Sequence, residues 1–326
     1  MGVTISINLQ KGGVGKSTTT GIIAYLLSKR KKRVLVVDMD SQGNVSTLLA
    51  QRPVFSFQFE TVAEAVYDED PKAYMVSIND YLDLLPADDL LALYPELIKG
   101  LAEDQLDDEG NVIAVARQGH PITYLKQTLE IVKSEYDYIL IDCPPSLDER
   151  TTSALTAADY VLTVMQCETY AFEALPRFFE TLMSAKQNNP KMAMLGISAQ
   201  MLDRYGLNND VLDLAREQYG DIVFNTVIRR LARIAEFSAI GIQESRAEQR
   251  EALRQYEELL DEVLTRIKEP VRDAEIYVKS LENRLYFVRE KLQTDRLKDE
   301  RYAVERERFE DLESLLVRQL ETARRW

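Results

Sequence analysis

The chemistry-bearing residues begin at 11–18, Lys-Gly-Gly-Val-Gly-Lys-Ser-Thr, between an apolar run and a helical pattern. Glycines there let backbone N–H groups turn towards phosphate, and the following helix N-terminus adds a favourable dipole. Gly12, Gly13, Val14, Gly15, Lys16, Ser17 and Thr18 are therefore expected to cradle a polyphosphate. Lys16 should reach its β- and γ-phosphates, and the Ser17 hydroxyl should ligate Mg²⁺. An ordinary loop of this kind carries glycine five residues before Gly15; here that position is Gln10, and Lys11 is an additional cation. Two carboxylates, Asp38 and Asp40, end the apolar segment Val36-Val37-Asp38-Met39-Asp40, 22 and 24 residues after Lys16. At a strand's carboxyl end such groups face the phosphates, where they can orient an attacking water or hold metal-bound water. A third, Asp142, follows Ile139-Leu140-Ile141 and is expected to hold Mg²⁺ through water. Lys16 and Asp40 are the candidate catalytic residues on this reading; Ser17, Asp38 and Asp142 are the candidate metal ligands.

These residues need elements to hold them. Continuous apolar runs at 3–9, 33–40, 81–85, 136–142, 160–166, 192–201 and 221–228 alternate with helical patterns. Runs of Val, Ile and Leu without alternation predict parallel strands covered on both faces. The expected fold is α/β, a doubly wound, mostly parallel sheet over residues 1–241. Residues 102–120 are polar and acidic, with Gly110 and Gly119, and read as a surface insertion. His120, the single histidine, lies at its edge and reads as a loop residue.

Residues 242–326 contain no glycine and one proline. Apolar residues recur there at alternating spacings of three and four: Leu253, Tyr256, Leu260, Val263 and Ile267, then Ala274, Val278, Leu281, Leu285, Val288 and Leu292. That is a heptad seam, and it predicts a long helical coiled-coil extension. The seam weakens at Asp295, Asp299 and Arg306, and Pro270 is expected to kink it. As one straight helix, residues 271–326 would extend roughly 84 Å. Such a helix needs a partner, either another chain or the domain that precedes it.

The segments KGGVGKST, VVDMDSQGN, ILIDCPPS, VMQCETYAFEAL and TVIRRLARIAEFSAIG resemble the ParA/MinD branch of P-loop ATPases, most of all ParA, over roughly residues 1–241. The resemblance implies ATP and Mg²⁺ as ligands, slow hydrolysis, and a sandwich homodimer with two nucleotides at its interface. Lys11 matches the signature lysine that reaches the other subunit's nucleotide, and Asp40 matches the aspartate credited with water activation. It further implies non-specific DNA binding through Arg204, Arg229, Arg230 and Arg233, with a ParB-like adaptor stimulating hydrolysis. Arg229 stands where the family usually has proline. The chain starts at its first strand, so no helix-turn-helix extension, and no operator binding, is expected.

Composition narrows the rest. The formal net charge of −14 opposes a DNA role unless cations are locally concentrated. Cys143 and Cys167 form no C-x-x-C pair, which fits a reducing cytoplasm and argues against a bridging iron–sulfur cluster. No secretory signal is expected, and the predicted location is cytoplasmic and nucleoid-associated. The alternative is a MinD-like positioning ATPase. Its lipid-facing helix would carry Leu312, Leu315, Leu316, Val317, Leu320 and Trp326 beside Arg318, Arg324 and Arg325. Glu310, Asp311, Glu313 and Glu321 oppose that reading. A filament- or dimer-forming role for the tail is a third possibility. A tyrosine autokinase is disfavoured because the tail tyrosines are dispersed.

Overall fold

The computed structural model describes residues 2–9, 11–13, 15–106, 112–202, 207–269 and 273–324. Gln10, Val14, Arg204, Pro270, Arg325 and Trp326 lie outside the described residues.

The strands are β1 (Val3–Asn8), β2 (Val34–Asp38), β3 (Val76–Asn79), β4 (Leu82–Leu85), β5 (Gln105–Leu106), β6 (Val112–Ala114), β7 (Tyr138–Asp142), β8 (Tyr160–Gln166), β9 (Ala193–Leu202) and β10 (Val223–Arg229). Eight of them form one sheet in the order β10-β9-β8-β1-β7-β2-β4-β3. Seven run parallel and β3 pairs antiparallel to β4 at the edge. The parallel strands read as unbroken apolar runs because both of their faces are covered. In β2, Val34 and Val36 enter one core and Leu35 and Val37 enter the other.

One face carries α3 (Val62–Tyr67), α4 (Tyr94–Leu101), α5 (Tyr124–Glu130) and α6 (Glu149–Ala157), built around Tyr94, Tyr124 and Leu129. The other carries α1 (Lys16–Lys29), α2 (Asn44–Ala50), α7 (Thr169–Ala185), α8 (Leu207–Tyr219) and α9 (Ala232–Ile240). The acidic segment read as an insertion contains the short antiparallel pair β5–β6, with Val112 and Val115 exposed.

The C-terminal helices are α10 (Ala247–Lys268), α11 (Asp273–Leu292), α12 (Asp295–Lys298) and α13 (Ala303–Ala323). The expected boundary at residue 241 does not separate two cores. The seam residues Leu253, Tyr256, Leu260 and Val263 are buried in the core that holds α1 and the sheet. Two side chains of α10 also satisfy the edge of β10: Glu262 accepts from the N–H groups of Asn225 and Thr226, and Gln255 accepts from that of Arg229. Arg266 donates to the carbonyls of Leu195, Ile222 and Asp221 and stacks on Phe224.

The remaining tail is not one long helix. α11 and α13 form an antiparallel hairpin, as the rungs Arg289–Glu313 at 2.6 Å and Arg324–Glu282 at 2.7 Å require. The chain reverses where the seam fails. Asp299, at a seam position, accepts from the Arg301 N–H and caps a turn instead of packing. Leu281, Leu285 and Val288 of α11 and Leu316, Leu320 and Ala323 of α13 are buried with the main core. The pair Arg284–Glu180 ties α11 to α7. The apolar stripe read as a coiled-coil seam is thus satisfied within the chain.

Candidate nucleotide site

The site forms at the carboxyl ends of β1, β2 and β7, the crevice that parallel sheets offer to ligands. β1 feeds the loop 9–15, which turns through Gly13 (φ 75°) and Gly15 (φ 90°). Gly15 is in the left-handed region and caps α1 with no side-chain hydrogen bond. The first intrahelical bond is Thr19 N–H to the Gly15 carbonyl at 2.8 Å, so earlier N–H groups remain for a ligand.

Lys16 is buried, and its ammonium donates to the Lys11 carbonyl at 2.8 Å. Burial lowers its pKa, opposed by the nearby Asp142, Cys143 and Asp40. Strands β2 and β7 are in register, with Asp38 opposite Asp142. The two carboxyls nevertheless have different surroundings. Asp38 Oδ1 accepts from the Asp40 N–H, and its Oδ2 accepts from both the N–H and hydroxyl of Ser46. It therefore fixes the loop from Asp38 to Ser46, and both of its oxygens have partners. Burial, then repulsion from Asp142, holds its pKa well above the usual carboxylate range.

Asp142 accepts from the Thr20 hydroxyl at 2.9 Å and has the Ser17 hydroxyl beside it, but its buried Oδ2 has no partner. Burial raises its pKa to about 6, against the Ser17 bond and the Lys16 charge. An orphaned carboxylate oxygen beside a serine hydroxyl fits Mg²⁺ held by Ser17 and Asp142 and completed by waters and phosphate oxygens. Among the described residues no group of three or more His, Cys, Asp or Glu side chains could cage a metal alone. Asp38 is the poorer of the two candidate ligands on this geometry.

Asp40 lines a cleft of about 420 Å³ with Gly12, Gly13, Gly15 and Lys16–Thr18. Its Oδ1 accepts from the Gln42 N–H, and its carbonyl accepts from that of Gly43. Gly43 (φ 59°) packs so closely against Val54 and the Ala87 carbonyl that a Cβ there would collide. The loop behind Asp40 is therefore held rather than free.

Lys11 lies at the rim. Its ammonium is 3.7 Å from Glu168 and 5.3 Å from the centre of the Tyr170 ring. Of the arginines, Arg229 and Arg230 are exposed at the end of β10. Arg233, in the first turn of α9, pairs with Glu236 at 2.5 Å. Further along α9, Ile234, Phe237 and Ser238 form the cleft's far wall.

Sequence reasoning missed that wall, and it missed Glu168, Tyr170 and Arg150. Arg150 bonds Asp148 and Ser146 and reaches the Ser41 hydroxyl at 3.2 Å, tying the loop after β7 to the loop after β2. The segment DCPPSLDER showed a charged pair but not its partner 109 residues away.

A family described as an AAA domain matches residues 2–194. The Bacillus subtilis sporulation initiation inhibitor protein Soj is 37% identical over 245 residues, covering 74% of this chain and 89% of that one. The Myxococcus xanthus chromosome partitioning protein ParA is 34% identical over 245 residues, covering 74% and 80%. Among solved structures, Mycobacterium smegmatis cobyrinic acid a,c-diamide synthase with bound ADP and magnesium has a TM-score of 0.66. It is 28% identical and covers 82% of this chain and 96% of that one.

Proposed function

Because this chain belongs to the ParA family of P-loop ATPases, we propose that it is a DNA-partition ATPase whose ATP-bound dimer adsorbs to DNA without sequence preference. Its ligands are ATP and Mg²⁺. The observation that carries the proposal is the continuity of the cleft: α9 forms its far wall and also carries Arg233 in its first turn, just after Arg229 and Arg230. Nucleotide occupancy and the basic segment therefore share one element.

In this reading the N–H groups of the loop and Lys16 hold the phosphates. Mg²⁺, held at Ser17 and Asp142, would neutralise charge on the β- and γ-phosphoryl oxygens. Asp40 orients a water whose oxygen attacks the γ-phosphorus; the bond to the bridging oxygen breaks, and ADP leaves with that electron pair. Lys11 exchanges Glu168 for the nucleotide of a second subunit, where a cation stabilises the charge of the transition state. Dimerisation is thereby tied to nucleotide state. A ParB-like adaptor triggers hydrolysis and release, and the working location is the nucleoid.

Two variants test the assignment. Lys11→Ala should bind ATP with near wild-type affinity and fail to dimerise with it, as read by light scattering; normal dimerisation would refute the role in trans. Asp40→Ala should dimerise with ATP and Mg²⁺ and persist as a dimer because turnover stops. A mutant that stays monomeric would remove Asp40 from the hydrolytic role.

The membrane-surface alternative loses ground. On α13, Leu316, Leu320 and Ala323 are buried, leaving Leu315 the exposed leucine of that stretch. Co-sedimentation with random-sequence duplex DNA and with anionic liposomes, under ATP, ADP and no nucleotide, separates the readings. ATP-dependent, salt-sensitive DNA binding supports partition; binding to liposomes alone would overturn it.

A further inference from the structure

The chain carries 54 acidic and 40 basic side chains, yet five consecutive bases, Lys29-Arg30-Lys31-Lys32-Arg33, stand at the turn from α1 to β2. All five are exposed. Lysine at a helix C-terminus is favoured by the dipole, which accounts for Lys29 and the residue after it. Lys29 pairs with Glu244 and Arg30 with Asp261, both on or just before α10. That explanation stops there. Lys31, Lys32 and Arg33 lie beyond the helix, and among the described residues no carboxylate pairs with them. Asp137, the acid nearest Arg33 along the sheet, is engaged by the Arg33 backbone N–H at 2.9 Å.

The turn's backbone is fixed. The N–H groups of Arg30, Lys31 and Lys32 donate to the carbonyls of Leu26, Ser28 and Leu27. Lys31 itself is held at φ 57°, a conformation a lysine adopts at some cost. A tethered turn presenting three uncompensated cations loses little conformational freedom on meeting a polyanion.

We infer that Lys31, Lys32 and Arg33 form a second DNA-contact surface, binding duplex phosphates at the end of the molecule opposite the nucleotide cleft. The inference rests on the DNA-binding reading above and adds to it a site outside the β10–α9 segment. The two surfaces are far apart. The patch is at the amino end of β2, whereas Arg229 and Arg230 follow the carboxyl end of β10, five strands away, roughly 24 Å across the sheet. Each protomer can thus touch DNA at two places, and neither contact blocks the cleft. A duplex fits this patch better than lipid does. Phosphate contacts need only cations, while an interfacial helix needs an apolar face. The exposed ring beside this turn is Tyr81, whose carbonyl accepts from the Val34 N–H.

The test uses the full chain with ATP and Mg²⁺ and a fluorescent random-sequence duplex, titrated over a range of salt. The triple variant K31Q/K32Q/R33Q should bind ATP normally and lose about tenfold or more in DNA affinity at low salt. Its plot of log affinity against log salt should be shallower by up to about 3 per protomer, one unit for each phosphate contact removed. Unchanged affinity and slope would overturn the inference, as would a variant that loses only binding to anionic vesicles. A wild-type chain that binds no DNA in any nucleotide state would instead sink the partition reading itself, so the two failures are distinguishable.

Discussion

Ending the chain at Gly241 should yield no folded ATPase, whereas ending it at Glu269 should yield one. The shorter cut removes α10, and with it Leu253, Tyr256, Leu259, Leu260 and Val263, each at most 2% exposed. At about 1.5–3 kcal/mol for each large side chain buried, the loss is roughly 8–15 kcal/mol. That equals the whole stability of an ordinary domain, about 5–15 kcal/mol. The same cut strips Glu262 from the N–H groups of Asn225 and Thr226, and Arg266 from four carbonyls. The longer piece keeps all of these and loses only the α11–α13 hairpin, which exposes part of α7. Thermal unfolding followed by circular dichroism distinguishes the outcomes. The piece ending at Glu269 should melt cooperatively below the full chain, and the piece ending at Gly241 should be insoluble or show no cooperative transition. A cooperative transition from the shorter piece would mean that α10 is an appendage after all.

That cut also marks where the sequence was readable and where it was not. The parallel strands were legible because burial on both faces leaves an unbroken apolar run, and each acid that ends a run, Asp38 or Asp142, marks a carboxyl end. β3 was not legible, since an antiparallel edge strand with half of its residues exposed has no such run. The stripe from Leu253 to Ile267 was legible as one helical face, but its partner, another chain or the preceding domain, was left open. Spacings of three and four occur both in coiled coils and in helices that face a sheet, and nothing in the stripe names its partner. The polar interruption at Asp295 and Asp299 did contain the answer for the hairpin, because a seam that fails for a full turn is where a helix can reverse. In the site, contiguous groups were found and distant ones were missed. Glu168 meets Lys11 only because β8 lies beside β1, and Phe237 meets the cleft only because α9 returns across it.

Lys16→Ala should lower ATP affinity by about a hundredfold or more while leaving the fold intact. The lysine lies in a buried position where its charge is poorly hydrated, so a phosphate group meets an ammonium that water does not screen. Charge-assisted hydrogen bonds contribute about 1.5–3 kcal/mol each, and an ammonium between two phosphates makes more than one. Two such bonds correspond to a hundredfold to ten-thousandfold change in affinity. Stability should move far less. The ammonium donates to the Lys11 backbone carbonyl, and its burial opposes its charge. Removing it relieves that cost while weakening the compensation of Asp142 and Asp40, two effects of opposite sign. Calorimetric titration with ATP and Mg²⁺, paired with a melting curve, reads both quantities. Affinity within a few-fold of wild type would refute the phosphate-loop assignment. A collapse in melting temperature would instead make Lys16 a structural counter-ion for the two aspartates, and the loss of binding would then say nothing about phosphate recognition. Lys16→Met resolves that case, because it fills the same volume without the charge. It should match alanine in affinity if the ammonium acts on the nucleotide.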